Sequence, residues 1–174
     1  MRELATAASV DSFIDALGRL RLGPGTIYLV GGSSAVLQGW RETTIDIDLK
    51  AKPEPSGLFE AIPEIKNALK INIELASPDQ FIPPLPGWEM RSPFIRRSGK
   101  VDFHHYDFYS QALAKIERHH ERDLSDVQAM FDAGLIEADR LKMLFREILP
   151  KLLRYPAIDP DTFSERVAAI VDGQ

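Results

Sequence analysis

Cysteine is absent from this 174-residue chain, which excludes disulfide staples, thiolate metal centres and cysteine nucleophiles. No apolar run is long enough to span a bilayer, so no membrane segment is predicted. The opening stretch, MRELATAASVDSFIDAL, has neither the basic start nor the apolar middle of a secretory leader. With the missing cysteines, this predicts a cytoplasmic protein. Positive charge is not in excess either: 21 Lys and Arg against 26 Asp and Glu leave a net charge of −5. Binding a large RNA therefore has to use a local basic face rather than overall charge. There is no internal repeat and no low-complexity tract. What is present is a 44% hydrophobic composition, enough for an ordinary core in one domain or in a core with a helical appendage.

The informative stretch is YLVGGSSAVLQGWRETTIDIDL, Tyr28 to Leu49. Ile27 to Val30 reads as a short apolar strand, Gly31-Gly32 as a sharp turn, Ser33 as the opening of a short helix, and Ile45 to Leu49 as a second strand. Gly32 lets bare backbone approach a ligand, and the N–H groups beginning the next helix attract anions, so the turn suits a phosphate. Asp46 and Asp48, two apart in an alternating strand, leave one face, while Ile45, Ile47 and Leu49 leave the other. Adjacent carboxylates repel, and such a pair persists most easily around a divalent cation; Mg²⁺ is typically held by one or two carboxylates together with substrate phosphates. A third strand, Ile71 to Ala76, repeats the pattern, with Ile71, Ile73 and Leu75 on one face and Asn72 and Glu74 on the other. Neighbouring strands lie ~4.8 Å apart, close enough for Glu74 to share a metal with the aspartates, or to be a solvated acid on a sheet face. Asp102, which alternates with His104 and Tyr106, is the competing third acid.

Gly-Gly-Ser, about a dozen residues, then Asp-hydrophobic-Asp resembles the signature of the nucleotidyltransferase superfamily with the DNA polymerase beta-like fold, on Gly31, Gly32, Ser33, Asp46 and Asp48. The resemblance implies an α+β fold: a nucleotidyltransferase-like mixed β-sheet core with flanking helices over residues 1–107, followed by a helical region over 108–174. It implies Mg²⁺ on Asp46, Asp48 and Glu74, and an NTP whose phosphates sit on Gly31, Gly32 and Ser33. A dinucleotide-binding Rossmann turn fits worse, because its three-glycine pattern is missing and the aspartates have no role there.

The remaining segments are read around that core. Val10, Phe13, Ile14 and Leu17 have helical spacing, and Gly23-Pro24-Gly25 closes that helix. Leu58 to Leu69 is a second helix. Residues 77–93 hold five prolines among Phe81, Leu85 and Trp88 and read as a packed strap, or as a wall of the nucleotide site. Arg96 to Lys100 reads as a basic hairpin tip. From Phe108 the chain turns helical, with Lys115, Arg118, His119 and Arg122 forming a cationic stripe. The run Leu113 to Ile116, then Arg118, Arg122-Asp123 and Asp126-Val127 is similar to the motif following the core in AbiEii-type toxin nucleotidyltransferases. That similarity implies that Lys115 and Arg118 grip phosphate and that Asp123 orients the lysine or accepts a proton. Asp123 with Asp126 also reads as a helix N-cap with an acidic third position. Helices are then predicted over Asp123 to Gly134, Glu137 to Leu153 and Ser164 to Val171, and the two His-His pairs lack zinc-ligand spacing.

The implied reaction moves an NMP from an NTP onto a hydroxyl of a tRNA or partner protein, in a toxin-antitoxin setting with a cognate toxin or antitoxin partner. Two alternatives stay open: a catalytically silent nucleotide-binding or antitoxin module, and a transferase acting on an aminoglycoside-type small molecule.

Overall fold

The computed structural model describes residues 1–174. Two compact units emerge, Met1–Ser77 with Ser92–Tyr106, and Pro78–Arg91 with Asp107–Gln174.

The first unit is built on a five-stranded mixed sheet in the order β3-β2-β1-β5-β4, made of β1 (Gly25–Val30), β2 (Asp46–Ala51), β3 (Asn72–Leu75), β4 (Phe94–Ser98) and β5 (Val101–His105). β1 runs antiparallel to β2 and parallel to β5; β2 and β3 are parallel, and β4 and β5 form an antiparallel hairpin. The mixed sheet with flanking helices that the resemblance implies is thus present. Ile27, Leu29, Ile47, Leu49, Ile73, Val101 and Phe103 leave one face into the core. Helix α1 (Ala7–Arg19) covers that face with Val10, Phe13, Ile14 and Leu17, and the Phe13 ring meets Phe103 edge-on at 6.5 Å. A buried side chain of this size contributes about 1.5–3 kcal/mol by leaving water. Helix α3 (Leu58–Leu69) adds Leu58, Ala61 and Ile65. The short α2 (Gly32–Gln38) joins β1 to the segment leading into β2.

Several boundaries differ from the periodicity. α1 begins at Ala7 because Thr6 and Ser9 form a reciprocal capping box. Ile45 does not join the apolar face; it is 62% exposed, since Thr44 pairs with Ala5 and β2 starts only at Asp46. Leu75 ends the sheet-edge strand 46% exposed. The hairpin tip is shorter than expected: Gly99, at φ +61°, and Lys100 make the turn, so Arg96 and Arg97 are strand residues. Both are paired, Arg96 with Asp15 and Asp11, Arg97 with Asp102.

The second unit is helical. The proline-rich strap belongs to it and buries Ile82, Leu85 and Trp88, with Trp88 opening the one-turn α4 (Trp88–Arg91). The Tyr155 hydroxyl donates to the Asp79 carbonyl. α5 (Phe108–Arg118) is capped by Asp107, whose buried carboxylate accepts from the backbone of Tyr109 and Ser110 and from Arg91. His119, at φ +60°, stops α5, and α6 (Glu121–Asp132) starts almost at once from His120. α7 (Ala138–Ile148) gives way to a 3₁₀ stretch at Leu149–Arg154, where Pro150 lacks an N–H. α8 (Pro160–Asp172) begins earlier than its apolar spacing suggested, because Asp159 caps it and Pro160 suits its first turn. No helix is long and apolar enough to cross a membrane.

Gly18 shows how closely α1 seats on the sheet. A Cβ there lies 1.9 Å from Ser98 Oγ and 2.9 Å from the Ser98 carbonyl carbon. Alanine favours a helix interior by about 1 kcal/mol over glycine, but the overpacking costs about 1–3 kcal/mol. Gly18→Ala is therefore expected to lower the urea midpoint, and Ser98→Gly added to it to recover part of the loss.

Candidate active site

Two neighbouring strands deliver the acids. In β2, Asp48 stands opposite Val30 of β1 on one side and Glu74 of β3 on the other, and Asp46 stands opposite Asn72. Alternation sends Asp46, Asp48, Asn72 and Glu74 to the sheet face away from the core. One oxygen from each of Asp46, Asp48 and Glu74 lies within 4.8 Å of the other two. Like charges at that spacing repel by about 1 kcal/mol per pair in water, and by more where half-buried. Asn72 moderates this repulsion, its amide nitrogen donating to Asp46 Oδ1 at 2.6 Å and to Glu74 Oε1 at 2.7 Å. Arg2 donates in turn to the Asn72 carbonyl oxygen, which fixes which end of the amide faces the acids. Octahedral Mg²⁺ with bonds of ~2.1 Å sets neighbouring ligands roughly 3 Å and opposite ones about 4.2 Å apart, so donors gathered within 4.8 Å could close around one such cation by moving inward. The all-oxygen set favours a hard divalent ion.

Beside the acids lies the glycine turn. Gly31 adopts φ 59°, ψ −123°, a conformation nearly confined to glycine, and a Cβ on it stands 3.5 Å from Asp48 Oδ2. Gly32 is needed for space instead, since its Cβ falls 1.9 Å from Thr44 Oγ1. Ser33 is fully buried, and its hydroxyl donates to the Val30 carbonyl at 2.8 Å, with the Asp48 carbonyl at 3.3 Å. The hydroxyl thus braces the ends of β1 and β2 against each other. Behind it, Ser34 donates to Leu29 O and lies 3.0 Å from His105 Nδ1, whose Nε2 meets the Gln38 amide at 3.1 Å. Burial, and secondarily the charge of His104, push the His105 pKa down from 6.5 to about 4, so the ring is neutral at pH 7 and holds α2 in place.

Asp102 lies elsewhere. β1 separates its strand from β2, and Arg97 holds it bidentately at 2.7 and 2.9 Å. That hydrogen bond keeps its carboxyl below the usual range, against slight burial.

Lys115, Arg118 and Asp123 form a cluster of their own in the helical unit. Lys115 is 5% exposed, its Nζ 2.7 Å from Asp126 Oδ2 and 3.3 Å from Asp123 Oδ1, while Arg118 grips Asp123 with two bonds at 2.6 and 2.7 Å. Asp123 is not the N-cap; it is the third residue of α6 and ties α6 to α5 through its side chain. Burial raises the Asp123 pKa, but the Arg118 and Lys115 bonds and charges outweigh it and leave the carboxyl below its ordinary value. Residue spacing alone did not reveal Asn72, Thr44 or Arg2 as parts of the acid site. Only Asn72 carried a signal, its parity with Glu74.

A glycine turn at the end of one strand, with an Asp-x-Asp pair on its antiparallel neighbour and a third acid on the next, is the arrangement of the nucleotidyltransferase superfamily. Residues 7–155 match the family described as nucleotidyltransferase of unknown function (DUF6036), and the chain belongs to that family. No curated protein and no solved structure shows a significant match.

Two expectations follow. His105 is neutral when folded and takes up a proton when unfolded below about pH 6.5, so its contribution is complete above that value and is lost as pH falls toward 4. Between pH 7 and pH 5, wild type should lose about 2 kcal/mol more stability than His105→Asn, read by urea melts at both pH values. Lys115→Met leaves buried carboxylates short of a cation and should cost about 3–5 kcal/mol in the same assay. The Asp123 contribution has the depressed-acid sign and fades only below about pH 4.

Proposed function

We propose that the protein transfers an NMP from an NTP to an acceptor hydroxyl, with Mg²⁺ held by Asp46, Asp48 and Glu74. The observation that carries this reading is the meeting of three carboxylate oxygens within 4.8 Å beside a glycine turn, in a chain of a nucleotidyltransferase family. When bound, the divalent cation supplies neutralisation of the phosphates and of the charge developing on the attacking and leaving oxygens. The residues of the chain do the positioning. Gly31 lets backbone close on the departing phosphates, Gly32 seats the turn against Thr44, and Ser33 holds the two strand ends at a set separation. Asn72 keeps the Asp46 and Glu74 carboxylates turned toward each other. The acceptor hydroxyl gives its proton to a site carboxylate or to water as its oxygen bonds to the α-phosphorus, the bond from that phosphorus to the oxygen bridging to the β-phosphate breaks, and pyrophosphate leaves in line with that oxygen.

Lys115, Arg118 and Asp123 are the remaining candidates, from the similarity of their helix to AbiEii-type toxins. Lys115 and Asp123 are buried in mutual ion pairs, which favours a structural duty joining α5 to α6; Arg118, 53% exposed in its side chain, would have to give up part of its grip on Asp123 to reach a phosphate. The same similarity supports a toxin-antitoxin setting, with tRNA or a partner protein as acceptor. The alternative of a silent nucleotide-binding module differs in one measurable respect, uptake of nucleotide without metal dependence or pyrophosphate release.

Transfer from labelled NTPs with Mg²⁺, tried on bulk tRNA and candidate proteins, tests the reading. Asp46→Ala and chelation of the metal should each lower turnover by at least about 10²-fold, the scale of removing one electrostatic stabiliser, while circular dichroism shows the fold intact. Equal turnover by the purified variant refutes the assignment.

A further inference from the structure

The acid cluster has a basic neighbour in the same unit. Met1, Arg2 and Glu3 of the N-terminal segment and Lys66, Asn67 and Lys70 at the end of α3 line a cavity of about 430 Å³. Its side chains carry three positive charges against one negative, in a protein whose net charge is −5. Arg2 belongs to both places, because its guanidinium donates to Asn72, whose amide donates to Asp46 and Glu74. The cavity is therefore one side chain removed from the proposed metal.

The walls are anchored. The Glu3 N–H donates to the Lys70 carbonyl at 2.7 Å, and Ala5 pairs with Thr44 two residues before Asp46. Lys70 sits at φ +55°, ψ 27°, a left-handed conformation that glycine or asparagine adopts at lower cost. Strand order then assigns the sides. The Gly31 turn follows β1, and Asn72 opens β3, so turn and cavity flank β2 and its aspartates from opposite directions.

We infer that the cavity is the acceptor side of the site and holds a backbone phosphate, so that the acceptor is a nucleic acid with its attacking hydroxyl next to the captured phosphodiester. The inference rests on the nucleotidyl-transfer reading above, in which the turn takes the NTP phosphates. A polycationic aminoglycoside is repelled by Arg2, Lys66 and Lys70, and a neutral protein hydroxyl leaves those charges unanswered. Arginine clamps phosphate oxygens through two N–H groups and lysine acts as a point charge, which suits a phosphodiester at the edge of a metal site.

The test is binding of a fluorescein-labelled single-stranded RNA, measured by anisotropy over a salt series in EDTA, with wild type, Asp46→Ala and the double variant Lys66→Gln/Lys70→Gln. Both lysines are solvent-accessible, so the double variant should fold. It should bind RNA at least about tenfold more weakly, with the slope of log K against log salt reduced by about 0.7 for the one lost single-strand phosphate contact. Asp46→Ala should bind RNA at least as well as wild type while losing transfer. RNA held equally by the double variant, or not held by wild type, overturns the inference. Lysine-dependent RNA binding without NMP transfer from any NTP overturns the reaction and keeps the phosphate site.

Discussion

Mutual repulsion among Asp46, Asp48 and Glu74 is the constraint on which the rest of the first unit depends. Nothing in an apolar core rewards bringing three carboxylates within 4.8 Å, so other interactions must hold them there. The grip comes from behind: Ile47, Leu49 and Ile73 bury their side chains opposite the acids, and each buried aliphatic group contributes more than one pairwise repulsion costs in water. Hydrophobic burial on one face of a strand thus stabilises an arrangement on the other face that is unfavourable by itself. The Gly32–Thr44 packing and the Ser33 bonds to β1 and β2 stop the strand ends from spreading to relieve the strain.

The helical unit solves a related problem differently. Asp123 and Asp126 are also buried acids close together, but here the cations are supplied in the chain, as Lys115 and Arg118. A buried pair of this kind adds little net stability over apolar packing, while losing one partner is costly. Its value is to fix how α5 meets α6 after a turn with only His119 and His120 between the helices. The two acid groups are thus chemically distinct: one is tied to Lys115 and Arg118, the other gathers three carboxylates beside an amide and a glycine turn.

Much of the acid site was legible because alternation is a strong signal. Asp46, Asp48 and Glu74 could be placed on one face from period two alone, and the Gly31-Gly32 turn from its composition. The mixed sheet came from the resemblance those residues carry. Strand order was not legible: whether Glu74 or Asp102 stands next to Asp48 depends on β1 lying between β2 and β5, a long-range fact with no local trace. Arg2 and Asn72 meet across 70 residues and were invisible for the same reason. Boundaries failed where a side chain overrode periodicity, as when Thr44 pairs with Ala5 and leaves Ile45 in solvent, or when β4 runs on through Arg96 and Arg97 because each finds an aspartate.

Glu74 sits on a strand of four residues with a neighbour on only one side. Short border strands are the first part of a sheet to open, so the third acid rests on its least secure member. Thermodynamic linkage ties the two: an ion bridging β2 and β3 strengthens their ladder by the same free energy with which the closed ladder strengthens the ion's grip. If the proposed ion is held there, amide protons of β3 would report its occupancy, exchanging fast without it and slowly with it.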